Sequence, residues 1–129
     1  MKPTERTLKY FRDKGYICDM IERWVRNPKH PAGGFRKDYL GFADILAFND
    51  HETLLIQSCG SSFSQHLKKI KSSELLYEWI KGENRGVVLI GWRKLKNRLK
   101  SGKFGKGYHY EPRIVTIKGP EINSSPLLF

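Results

Sequence analysis

Apolar residues near the start of the chain recur at helical spacing. Leu8 and Phe11 lie three residues apart and would share one face of a helix. Thr4 is a residue type that caps helix starts, and Gly15 is the type that ends them. The spacing therefore predicts a helix over about 5–14.

The next part of the chain changes to β-type patterns. Aromatic and β-branched residues alternate, or form short apolar runs, between clusters of Pro, Gly and Asn. Two prolines and two glycines in one of these clusters indicate a loop. The pattern predicts strands over 16–24, 42–48 and 53–58, a loop over 27–34 and a turn over 49–52.

Helical spacing returns after residue 62. Apolar residues three or four apart predict helical structure over 63–80, with a break at Ser72 and Ser73. A continuous apolar run over 86–92 is typical of a strand buried on both faces, and a last strand is expected over 113–118. A helix between the third and fourth strands permits a parallel crossover, so we expect an α/β fold with a mixed β-sheet flanked by helices.

Length and composition narrow the class of protein. With 129 residues, of which 39% are hydrophobic, the chain suits one domain, expected over 1–118 and followed by a flexible tail over 119–129. Its longest apolar run is far shorter than a membrane span, and its start lacks the apolar stretch of a signal peptide. We therefore expect a cytoplasmic protein.

The cysteines and histidines give no sign of a structural metal. Cys18 and Cys59 stand far apart without a partner motif, and the four histidines match no zinc-binding spacing. Both thiols are expected to be reduced.

Positive charge is concentrated in one segment. The formal net charge is +11, and removing 93–106, which holds seven basic residues and no acidic one, leaves +4. Aromatic residues interleave with these cations, a combination that suits a hairpin or loop contacting nucleic acid. The candidate nucleic-acid-binding residues are Arg36, Lys37, Arg93, Lys94, Lys96, Arg98, Lys100, Lys103 and Lys106.

One acidic residue stands in an otherwise apolar strand. Asp44 is that residue, and burying a carboxylate without a partner is costly. If the next strand is its neighbour, Gln57 can approach it. Two oxygen ligands from adjacent strands commonly begin a Mg²⁺ site, which water and a substrate phosphate complete.

These residues resemble a known family. A first helix with an acidic residue, a strand, a Gly-x-x-Asp motif ending at Asp44, a polar ligand on the third strand and a following basic helix resemble the PD-(D/E)XK nuclease superfamily, closest to its small Holliday junction resolvase-like branch. The resemblance covers roughly 4–92, including RKDYLGFADILAF and LLIQSCGSSFSQHLKKI. It implies a restriction-endonuclease-like core.

The resemblance also implies roles for individual residues. Asp44 would bind the metal, Gln57 would stand where the family has Asp or Glu, and Glu5 would match its helical acid. Cys59 occupies the place of the motif lysine, and a thiol cannot supply an ammonium's charge, so Lys68 or Lys69 would replace it. Further polar residues that could contribute are Glu22, Asp38, Gln65 and His66.

The expected activity is Mg²⁺- or Mn²⁺-dependent hydrolysis of phosphodiesters in branched or structured DNA. Resolvases of this kind act as two-fold dimers, so the resemblance implies a homodimer. Gln57 leaves the site with one negative charge fewer than a standard site, which weakens metal binding. Two alternatives therefore stay open: a catalytically inactive nuclease-fold module that binds nucleic acid, and a phage accessory or inhibitor protein whose basic surface meets an acidic host protein.

Overall fold

The computed structural model describes residues 1–119, so the expected tail lies outside the described residues apart from Gly119. Three helices and seven strands follow one another along these residues. In chain order they are α1 (Pro3–Asp13), β1 (Ile17–Met20), β2 (Arg23–Arg26), β3 (Gly34–Lys37), β4 (Ile45–Phe48), β5 (Thr53–Cys59), α2 (Phe63–Lys71), α3 (Glu74–Ile80), β6 (Arg85–Arg98) and β7 (Phe104–Lys118).

Five of the strands form one mixed sheet in the order β1-β4-β5-β6-β7. The β5–β6 pair is parallel and is joined through α2 and α3, while the other three pairs are antiparallel. The expected mixed α/β architecture is therefore confirmed. The parallel crossover expected between the third and fourth predicted strands joins β5 to β6. No helix among residues 1–119 is long and apolar enough to cross a membrane.

Apolar side chains cover both faces of the sheet. On one face Phe11 of α1 packs with Ile56 and Ile90, and on the other Ile70 and Leu76 of α2 and α3 are buried with their neighbours. The strands β5 and β6 thus face apolar layers on both sides, which explains their nearly continuous apolar sequences.

Several predicted boundaries are wrong. The first helix begins at Pro3 with Lys2 as its N-cap, because proline suits the first helical turn, where its missing N–H has no partner to lose. The predicted strand 16–24 is two strands, β1 and β2, and part of the predicted loop 27–34 belongs to β3, which pairs with β2 in a separate two-stranded sheet. The predicted break at Ser72 and Ser73 is confirmed.

Two further observations concern the functional residues, and the second agrees with the expected hairpin or loop. The strand expected over 42–48 begins only at Ile45, and Asp44 directly precedes it. The basic segment is a hairpin, since β6 and β7 pair from Gly86 and Lys118 out to Arg98 and Phe104. Pro112 is tolerated within β7 because this strand is an edge strand, where a missing N–H donor costs least.

Buried hydroxyl groups connect α1 to the sheet. The Thr7 hydroxyl donates to the Pro3 carbonyl at 2.9 Å and lies 2.7 Å from the Ser58 hydroxyl, while the Trp92 indole Nε1 donates to it at 2.9 Å. Thr7 is fully buried. One side chain therefore ties together the first helix, the end of β5 and the point where β6 leaves the sheet.

We expect Thr7→Val to lower the free energy of unfolding by about 1–3 kcal/mol, because it keeps the side-chain shape but leaves two buried polar groups without a partner. Urea denaturation measures the change. The matched control is Thr4→Val, a half-buried threonine on the same helix, which should change stability much less. Equal losses in the two variants would contradict this role for Thr7.

Candidate functional site

A tight turn brings the chain into the site. In the 38–43 turn, Leu40 has φ 56° and Gly41 has φ 83°, while the N–H of Phe42 donates to the Tyr39 carbonyl at 3.2 Å. Two consecutive left-handed residues make a type I′ turn, which is costly for a leucine. The neighbouring structure stabilises this conformation by pairing Tyr39 with Ala43. Asp44 follows the turn directly.

The backbone of Asp44 is held by the strands on either side. Its N–H donates to the Ile56 carbonyl at 2.9 Å, and its own carbonyl accepts from the Ile21 N–H at 3.0 Å. These bonds extend the β1–β4–β5 ladder by one residue beyond β4. The Asp44 side chain consequently points at the carboxyl end of β5.

The expected approach of Gln57 to Asp44 is found. Gln57 Nε2 donates to Asp44 Oδ2 at 3.4 Å, and the Ser58 backbone N–H donates to Asp44 Oδ1 at 3.2 Å. Asp44 is only 7% exposed and Gln57 only 5%. Both hydrogen bonds are long for a buried carboxylate, which therefore receives little stabilisation of its charge.

Only the nitrogen of the Gln57 side-chain amide has hydrogen-bond partners among the described residues. Its Nε2 also donates to the Ser58 carbonyl at 3.3 Å, whereas its Oε1 is buried and accepts no hydrogen bond from the described residues. An orphaned buried acceptor costs free energy, so it is a place where a further donor or a cation would be stabilised.

Burial raises the pKa of Asp44 to about 7. The charges of Asp38 and Glu22 add to this increase, and the Ser58 N–H opposes it. Burial also raises the pKa of the Cys59 thiol, and the charge of Asp44 adds to that effect. Cys59, where the family resemblance implies a lysine, is therefore a neutral neighbour of Asp44.

A second group of charged residues lies beside this pair. Lys69 Nζ lies 3.8 Å from Asp38 Oδ2, and Arg36 donates to Glu22 Oε1 at 2.6 Å. Burial raises the pKa of Asp38. The positive charge of Lys69 opposes this increase, as His66 does, and the charge of Glu22 adds to it. The acids named as possible contributors are thus close enough to influence Asp44, and Lys69 is oriented toward them.

Other expected site residues lie elsewhere. The Glu5 carboxylate accepts from the Lys2 backbone N–H at 3.1 Å and is exposed at the start of α1, where it acts as a helix cap. Lys68 is exposed and borders a surface depression with Ser64 and Lys71. Among residues 1–119 no three His, Cys, Asp or Glu side chains are arranged to hold a metal ion.

The β6–β7 hairpin, residues 93–110, carries alternating cations and aromatic rings on one face. Lys94 lies 4.6 Å from the Tyr108 ring centroid, and Arg98 lies 4.3 Å from that of Phe104. Arg6 of α1 lies 3.5 Å from the Tyr110 ring. These rings remain 40–58% exposed, so they can contact a ligand while the cations beside them bind its charge.

Comparison with known protein families, curated proteins and solved structures finds no match for this chain. The mixed sheet, the buried Asp44–Gln57 pair and the basic hairpin are therefore the grounds on which its function is inferred.

We expect Asp44→Asn to become more stabilising as the pH rises. A carboxylate whose pKa is raised in the folded protein favours folding while it is protonated and loses that contribution as the pH rises through about 7. Between pH 5 and pH 8.5, the free energy of unfolding of the variant should rise by about 2–3 kcal/mol relative to that of the wild type, because one pKa unit is worth about 1.4 kcal/mol.

Chemical denaturation at both pH values measures this gain. The control is Asp50→Asn in the β4–β5 turn, which should change stability equally at both pH values because its carboxylate is exposed. A constant difference between Asp44→Asn and the wild type across this range would show that Asp44 ionises as a solvated acid does.

Proposed function

We propose that this protein is a metal-dependent endonuclease of the PD-(D/E)XK type that binds branched or structured DNA and hydrolyses its phosphodiesters. The observation that carries the proposal is the buried Asp44 carboxylate beside Gln57, whose Oε1 accepts no hydrogen bond from residues 1–119, at the sheet edge from which the basic hairpin projects. It acts, on this proposal, in the cytoplasm of a bacterial or phage-infected cell.

The order of elements supports a restriction-endonuclease-like core. Without the β2–β3 insertion, α1 is followed by the β1, β4 and β5 meander, the helices α2 and α3, and β6 parallel to β5. This is the order of helix, three strands, helix and strand that the family resemblance implies, with Asp44 and Gln57 at its motif positions.

The donor set fits the beginning of a Mg²⁺ or Mn²⁺ site. Asp44 offers an anionic oxygen, and Gln57 Oε1 offers a neutral one with no partner in the described part of the chain; both are hard oxygen ligands. Because Gln57 Nε2 is the atom that donates to Asp44, the amide would have to turn for both oxygens to bind one cation. A divalent cation held there would offset charge on the scissile phosphate and acidify a water molecule. Asp44 must lose its proton to bind the cation, so binding competes with protonation near pH 7.

The chain supplies the remaining functions through separate residues. Lys69, held near Asp38, would bring a positive charge toward the phosphate in place of the motif lysine. The hairpin cations would bind flanking phosphates, and Phe104 and Tyr108 would contact sugars or bases. A homodimer would present two such sites to the two strands of a junction.

The neutral Gln57 and Cys59 favour a second candidate function. A site with a single carboxylate, and with no third acidic, His or Cys ligand in the described part of the chain, binds a cation weakly. An inactive module of the same fold would keep the basic hairpin and bind nucleic acid without cutting it.

A cleavage assay separates the two candidates. We expect cutting of a four-way junction, a flap, linear duplex or single-stranded DNA with Mg²⁺ or Mn²⁺, none with EDTA, and a loss of at least about 100-fold in Asp44→Asn. Asp50→Asn is the control and should cut normally. No cutting in either metal, with DNA binding intact, would leave the inactive module as the function. Cutting that persists in EDTA would contradict the metal-dependent mechanism.

Binding by the β6–β7 hairpin is tested by its salt dependence. Because each phosphate contact contributes about 0.9 to the slope of log K against log salt, Lys94→Gln/Lys96→Gln should reduce the slope on duplex DNA by about 2. The control is Lys9→Gln/Lys81→Gln, which removes two helix cations paired with Asp13 and Glu78. Equal slopes in the two double variants would refute a specific role for the hairpin.

A further inference from the structure

The excess positive charge of the chain lies entirely in two hairpins. The β2–β3 hairpin, residues 23–37, holds five basic residues and no acidic one, and 93–106 holds seven. Together they contain half of the 24 Lys and Arg residues, and the rest of the chain has a formal net charge of −1. The basic residues of the β2–β3 hairpin are Arg23, Arg26, Lys29, Arg36 and Lys37.

Both hairpins leave the sheet at the same edge. Met20 at the end of β1 pairs with Ile45 at the start of β4, Ile45 pairs with Ile56 near the end of β5, and Cys59 at that end pairs with Gly91. The chain enters β2 three residues after β1, and β6 continues past Gly91 into its hairpin. The Asp44–Gln57 pair lies between these two exits.

The spacing of the exits suits an elongated polyanion. Strands β1 and β6 are three strand spacings apart, or about 14 Å, which corresponds to the rise of about four base pairs of duplex DNA. A nucleic acid bound at one hairpin can therefore reach the other while it crosses the edge where Asp44 lies.

The arrangement of charges in the β2–β3 hairpin favours binding of an anion. Arg23 and Lys37 are directly opposite partners, an arrangement of like charges that is destabilising unless an anion is bound between them. With Tyr39 and Leu75 they line a groove of about 640 Å³ that also reaches Asp38. Within residues 1–119, neither cation lies within salt-bridge distance of a carboxylate.

Exposed aromatic rings favour nucleic acid over an acidic protein as the partner. Trp24 is 54% exposed and Phe35 is 40% exposed on the same hairpin as these cations, as Phe104 and Tyr108 are on the other hairpin. Rings beside cations stack on bases or sugars while the cations bind phosphates.

We propose that the β2–β3 hairpin is a second anchor for the sugar-phosphate backbone, so that bound DNA spans both hairpins and passes over Asp44. The proposal rests on the DNA binding proposed above. It assigns the two hairpins to opposite sides of the reacting phosphate, and it requires DNA that extends in both directions from that phosphate.

The test measures binding of a labelled 24-base-pair duplex by fluorescence anisotropy at several salt concentrations. All proteins carry Asp44→Asn so that the DNA stays intact. One triple variant is Arg23→Gln/Arg26→Gln/Lys37→Gln, the second is Lys94→Gln/Lys96→Gln/Arg98→Gln, and the control is Lys9→Gln/Lys14→Gln/Lys81→Gln. Circular dichroism establishes that each variant is folded.

Each hairpin triple should reduce the salt slope by about 3, since about 0.9 is lost per contact, while the control keeps the parental slope. An unchanged slope in the Arg23 triple, with a reduced one in the Lys94 triple, would overturn the second anchor but leave the proposed function standing. A parental protein that does not bind DNA would overturn both.

Two other outcomes also overturn the second anchor. If the control triple loses as much slope as the Arg23 triple, the effect is one of net charge alone. If the Arg23 triple loses binding of polyglutamate but keeps its DNA slope, the β2–β3 hairpin is a surface for acidic protein. A variant in which a neutral turn replaces the β2–β3 hairpin should show the same reduced salt slope as the Arg23 triple if the anchor exists.

Discussion

Burial of the Asp44 carboxylate at the end of β5 is the constraint on which the rest of the site depends. The backbone of Asp44 is fixed by hydrogen bonds with Ile21 and Ile56, so the sheet ladder sets the direction in which its side chain leaves the chain. Two long hydrogen bonds, from Gln57 and from the Ser58 N–H, compensate only part of the desolvation cost. A charge held under these conditions is stabilised by a proton or a cation, so the same residue is expected to determine the pH dependence of stability and, on the proposed function, the binding of a metal ion.

Ser58 joins this carboxylate to the opposite face of the sheet. Its N–H contacts Asp44, while its hydroxyl contacts Thr7 of α1, and Thr7 also accepts from Trp92 where β6 leaves the sheet. A displacement of α1 would therefore shift both the Ser58 N–H and the base of the β6–β7 hairpin. The first helix thus has a positioning role through Thr7 that does not involve Glu5, whose carboxylate caps the helix.

The spacing of apolar residues predicted the helices and strands whose side chains enter the core. It did not predict strands that are held mainly by backbone hydrogen bonds. The apolar spacing located the helices, their break at Ser72, and the neighbouring positions of Asp44 and Gln57. The β2–β3 hairpin forms a separate sheet and most of its residues are exposed, so its cations, prolines and glycines resemble a loop. The outer part of β6 and β7 was missed as strand for the same reason, because its ladder continues where apolar alternation stops.

The neutral residues in the motif can be understood from the same burial. A second carboxylate at Gln57 would lie beside Asp44 in a site where burial and two nearby acids already raise the pKa of Asp44, so one of the two would stay protonated. An amide avoids this repulsion and still offers an oxygen. On the proposed function, the charge needed to attract a phosphate has to come from outside the Asp44–Gln57 pair, and Lys69 and the two hairpins at this edge are where the chain carries positive charge. A weak central site and strong flanking cations are therefore parts of one electrostatic arrangement.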